Sequence, residues 1–86
     1  MNVETAEEAG DLAARIRQRE ARLETIRQAL AENWRIAGLQ ALTPDGREIS
    51  LLVEPLDHDT SAEALNFALQ IQQAQFDALS AKLDAL

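Results

Sequence analysis

Only at Asp57-His58-Asp59 does this chain set an imidazole beside carboxylates, the pattern of a possible metal or acid–base site. A carboxylate next to an imidazole can relay a proton or hold a divalent ion when both converge on one point. Adjacent residues rarely converge in that way. With one His and no Cys in the chain, no second imidazole or thiolate can complete a site. Acids just ahead of a helix have a simpler use, because they complement the positive end of its dipole. The motif therefore reads as helix-start acids with a solvated His.

Nucleophilic chemistry is equally poorly provided. Ser50, Ser61 and Ser80 share His58 as their one candidate base. Gly10, Gly38 and Gly46 are scattered and do not form a phosphate-cradling loop. No catalytic residue, no metal ligand and no cofactor is expected, and the chain reads as non-enzymatic.

Charge narrows the partners. The net charge is −7, unevenly spread. Residues 1–11 hold four acids, residues 12–36 hold six Arg against three Glu, and residues 37–63 hold six acids against Arg47. An acidic chain without a Lys/Arg cluster is a poor match for a phosphate backbone, so no direct nucleic-acid binding is expected. Arg15, Arg17, Arg19 and Arg22 point several ways around a helix and read as an ion-paired, solvated surface. No apolar run approaches the roughly 18 residues of a membrane span, and no signal peptide opens the chain. A cysteine-free chain of this kind is expected in the cytoplasm or within an assembled particle.

The elements that position these residues are legible from spacing. At 86 residues the chain is one domain, with 47% hydrophobic residues but only 3% aromatic, a palette of Leu, Ile and Ala suited to helix packing. Thr5-x-x-Glu8 matches a capping box, but Gly10 follows, so residues 4–10 are expected as a frayed turn. A first helix is expected over 11–37. Ile16, Leu23 and Leu30 stand at heptad position a, with Leu12, Arg19, Ile26 and Asn33 at d, and Gly38 as the stop. A β-hairpin is expected over 39–54 about the turn Thr43-Pro44-Asp45-Gly46, pairing Leu42 with Glu48, Ala41 with Ile49 and Leu39 with Leu51. Leu39, Ala41, Ile49, Leu51 and Val53 then share one face, and Pro55 ends the strand.

A second helix is expected over 60–86 behind the capping box Thr60-x-x-Glu63, with Ala62, Leu65, Leu69, Gln72, Phe76, Leu79, Leu83 and Leu86 along its seam. The fold class is thus mainly α with a small β-hairpin in the order α-β-β-α. It is an antiparallel helical hairpin or coiled coil that self-associates. Arg19 and Gln72 interrupt the two seams, where polar groups fix register.

The second helix has another apolar row on its far side: Phe67, Ile71, Ala74, Ala78, Ala81 and Ala85. Its polar neighbours are mostly uncharged (Asn66, Gln70, Gln73, Gln75 and Ser80), and amides cost less to desolvate than carboxylates. The row is the expected self-association face, with itself and another protein as partners. Trp34, Asp45, Glu48, Glu54, Asp57 and Asp59 are the candidate partner-binding residues at the hairpin end. Trp34 there either plugs the junction or anchors the partner.

Helix–hairpin–helix order over residues 11–86 resembles the β-type subunits of prefoldin and the small lambda-type head–tail joining proteins of phages. The likeness is one of topology and carries no residue roles. It implies oligomerisation or a place in a larger particle. Three functions compete: an oligomeric protein-binding module (adaptor, inhibitor or assembly chaperone), a structural subunit such as a phage head–tail or neck component, and an acidic nucleic-acid mimic. The mimic would use Asp45, Glu48, Glu54, Asp57, Asp59 and Glu63 as phosphate surrogates.

Overall fold

The computed structural model describes residues 3–86. The chain runs α1 (Val3–Ala31), β1 (Gln40–Leu42), β2 (Glu48–Ser50) and α2 (His58–Asp84). The helices pack on one another and the strands pair with one another; among the described residues no strand packs on a helix. The result is a helical hairpin with a small two-stranded antiparallel sheet at its tip. Its extents are 51 × 36 × 14 Å, one helix thick.

α1 begins earlier than the spacing suggests. The expected frayed turn over 4–10 is helical, and Gly10 does not break it. Thr5 and Ala9 continue the alternating three- and four-residue steps of Leu12, Ile16, Arg19, Leu23, Ile26 and Leu30, and all eight are buried or half-buried. Seam burial one heptad further back outweighs the roughly 1 kcal/mol helix penalty of a glycine. Thr5 therefore lies inside the helix rather than capping it.

α1 also ends earlier, at Ala31 instead of residue 37, and Asn33 rather than Gly38 stops it. Asn33 adopts φ 57°, in the left-handed region that Asn tolerates better than other side chains. Trp34 N donates to Ala29 O at 2.9 Å and Asn33 N to Leu30 O at 3.4 Å, the bond pair of a Schellman motif. Six residues expected in the helix thus become the approach to the hairpin.

The hairpin has the expected register, with Leu42 opposite Glu48 and Ala41 opposite Ile49. Leu51 N donates to Leu39 O at 2.8 Å, completing the third expected pair. Gly46 N donates to Thr43 O at 2.9 Å, and Gly46 itself sits at φ 90°, which a Cβ would disfavour. The strands are only three residues each, shorter than the 39–54 hairpin expected. Their apolar residues stay open: Leu39, Leu42, Ile49, Leu51 and Val53 are all exposed.

α2 starts at His58 because Asp57, not Thr60, is its N-cap. Asp57 accepts from Thr60 N at 2.6 Å. Of the α2 seam, Ala62, Leu65, Leu69, Gln72, Phe76, Leu79 and Leu83 are half-buried; Leu86 lies beyond the helix and is exposed. Among the described residues the buried positions are Leu12, Leu23 and Ala29 on α1 and Ser61 on α2.

One seam residue is costly. Gln72 Oε1 is buried with no hydrogen-bond partner among the described residues. An orphaned buried acceptor costs about 1–3 kcal/mol, so Gln72→Leu should raise unfolding stability by about that amount. A denaturant titration checks this; an unchanged or lower midpoint would mean that the amide is satisfied.

Candidate functional site

Two surfaces emerge from this scaffold, a tightly bonded junction under the sheet and an open face along α2. The junction is built by backbone groups that leave α1 and enter α2. Leu56 N donates to Ile36 O at 2.9 Å, tying the two loop strands below the sheet. The Ser61 hydroxyl lies between them, accepting from Ile36 N at 2.9 Å and reaching Leu56 O at 3.4 Å. Its side chain is wholly buried, and its hydroxyl answers a backbone donor 25 residues away. Arg35 closes the outer side, with Nε on Leu56 O at 2.7 Å and a terminal nitrogen on Pro55 O at 3.3 Å.

The Asp57-His58-Asp59 motif belongs to this junction. His58 Nδ1 lies 3.2 Å from Asn33 O, so this nitrogen carries the proton and donates. Asp57 is held by the Thr60 N–H and then by the Thr60 hydroxyl, with Arg35 nearby, and these keep its carboxyl below its ordinary value of 3.8. Asp59 is exposed in the first turn of α2. The three side chains have separate tasks and do not converge. Among the described residues no three acidic, His or Cys side chains cluster closely enough to share an ion.

The remaining candidate partner-binding residues are spread over the tip. Asp45 serves the turn: the Thr43 hydroxyl donates to it and Arg47 Nε lies 3.1 Å away, which lowers its pKa. Glu48 and Glu54 are exposed, with no side-chain hydrogen bond or ion pair among the described residues. Trp34 does not plug the junction. It is 43% exposed, and its Nε1 donates to Glu32 Oε1 at 3.3 Å.

The far row of α2 is uncovered throughout. Phe67 is 64% exposed and Ile71 40%, and Ala74, Ala78, Ala81 and Ala85 are all exposed. From Ala64 to Phe76 the helix carries no charge at all. Two open hollows flank the middle of the row. One of about 410 Å³ borders Ala74 and is lined by Arg27, Leu69, Gln70, Gln73 and Asp77. The other, about 360 Å³, borders Ala78 and is lined by Arg15, Gln18, Arg19, Gln75 and Leu79.

Ser61, considered above only as a nucleophile, has a structural role instead. A Ser near a helix start is commonplace, and only its contact with Ile36 sets it apart. Ser61→Ala strands the Ile36 N–H and should cost about 1–3 kcal/mol of unfolding stability. Equal denaturation midpoints for the two proteins would remove the hydroxyl from the account.

Asp57 generates a pH prediction. Its carboxyl is depressed in the folded chain, so the unfolded chain binds more protons between the two pKa values and stability there rises with pH. The cap's contribution is complete above the unfolded value near 3.8 and is lost as pH falls through the lower folded value. Asp57→Asn keeps a cap acceptor, so it should melt near the parent at pH 7 while removing the Asp57 part of the acid decline. Thermal melts from pH 2 to 7 check this; identical acid declines would contradict it.

Comparison of the chain with protein-family models, with curated proteins and with solved structures finds no match.

Proposed function

We propose that this chain is a small, non-enzymatic protein-binding module that assembles with itself through α2 and offers its hairpin end to another protein. The observation that carries the reading is surface left over after folding. The chain exposes 6529 Å², against about 5,000 Å² for a compact monomer of its mass. Its radius of gyration is 16.5 Å, where a compact chain of this length has about 12 Å. The excess of roughly 1,500 Å² is more than the roughly 800 Å² one partner gives to a standard interface.

The excess is apolar in two separate places, which is why two occupants are invoked. Phe67 and Ile71 mark the outer face of α2, and Leu39, Ile49, Leu51 and Val53 mark the sheet. A two-stranded sheet is marginal in water and leaves open edges, so a partner that covers it supplies what the helices do not. Acids around the tip favour a partner with basic groups at the rim of its contact. The reading as a nucleic-acid mimic is weaker, because Asp45 and Asp57 of its six acids are engaged in turn and cap.

The test is oligomer mass by light scattering, with circular dichroism to show that the helices persist. The unmodified chain should give a multiple of 9.5 kDa, and Ala78→Glu with Ala81→Glu should shift it towards the single-chain mass. An oligomer unchanged by both substitutions would show that α2 is not the interface.

A further inference from the structure

The order of residue sizes along the open row of α2 is self-complementary. The row reads Phe67, Ile71, Ala74, Ala78, Ala81, Ala85, with its bulk at one end and its small residues at the other. Laid antiparallel on a copy of itself, it sets Phe67 over Ala85, Ile71 over Ala81 and Ala74 over Ala78, all in one register. Large residues then meet small ones at the two outer steps, and the small pair Ala74 and Ala78 lets the helices approach closely at the centre. Parallel alignment would instead set Phe67 against Phe67 and Ile71 against Ile71, holding the four alanines of each row apart.

We propose that α2 packs antiparallel on α2 of a second copy, across a two-fold axis passing between Ala74 and Ala78. This rests on the reading of α2 as the self-association face and adds its partner geometry. An isologous contact of this kind closes on itself as a dimer and exposes no further copy of the same patch. The four helices form one layer in the order α1, α2, then α2 and α1 of the second copy, in keeping with a chain only 14 Å thick.

Surroundings of the row agree with this. The uncharged stretch from Ala64 to Phe76 covers the bulky half, so Phe67 and Ile71 bring no buried charge into the contact. Both hairpins stay at the outer ends of α1 and α2, free for the partner.

The chain has no cysteine, so single cysteines can report the register. Ile71→Cys and Ala81→Cys are made separately, mixed, and oxidised with copper–phenanthroline, alongside the pair Ala74→Cys and Ala78→Cys. The antiparallel register predicts a disulfide-linked dimer containing one of each variant in both mixtures. For Ile71→Cys with Ala81→Cys, the mixed yield should exceed that of either variant alone by at least about tenfold. In that register two copies of one of these variants hold their thiols about 15 Å apart along the axis, beyond disulfide reach.

Efficient cross-linking of Ala81→Cys to itself would overturn the antiparallel register and leave self-association through α2 standing. A dimer by mass that cross-links in neither mixture would overturn both. So would a chain that stays at single-copy mass.

Discussion

The Ser61 hydroxyl sets the geometry on which the rest of the molecule depends. It accepts from Ile36 N and sits against Leu56 O, while Leu56 N bonds Ile36 O directly. These bonds clamp the exit from α1 to the entry into α2 at one point. The helices are thereby antiparallel neighbours, and everything between residues 36 and 56 must leave the clamp as a separate tip. A hydroxyl suits the place because it satisfies a buried amide without the volume of a larger polar group. Asp57, Asn33 and Arg35 then fit around the clamp as cap, helix stop and outer closure.

Clamping the chain there has a consequence for surface. Two helices can cover one seam between them, and the tip is held away from both, so no further element of the described chain covers the outer side of α2 or the face of the sheet. A third helix or a folded-back sheet would cover such faces in a larger domain. Here the chain remains elongated and retains about 1,500 Å² beyond what compact monomers of its size expose. Small chains without disulfides or metals commonly solve this by association. The two open faces differ in kind. The row on α2 is long, regular and complementary to itself, whereas the sheet is short, ringed by acids and suited to a different surface.

Much of the architecture was legible because it rests on local and periodic signals. Heptad spacing marked both seams, and Thr43-Pro44-Asp45-Gly46 set the turn and with it the pairing of Ala41 with Ile49. The helix ends were less legible, since the signals expected from spacing, Gly38 and Thr60, are not the ones the junction uses. Gly38 is the better left-handed residue by propensity, yet Asn33 takes that role because the junction needs the chain to turn within reach of Leu56. Thr60 and Asp57 could each cap α2, and the bond between Leu56 and Ile36 favours the earlier one. Gly10 looked like a break because its cost is local, while the seam burial that overrides it is not. Ser61 was invisible for the same reason: its value lies in a partner 25 residues away.

Contact between Phe67 and Ala85 distinguishes an antiparallel α2 pair from any other arrangement of the chain. Within one α2 they lie about 27 Å apart at 1.5 Å rise per residue, so any nuclear Overhauser effect between the Phe67 ring and the Ala85 methyl must cross between copies. In an antiparallel α2 dimer this effect is present and grows with the dimer fraction as concentration rises. A Phe67 ring that shows no effect to Ala81 or Ala85 at any concentration would contradict it.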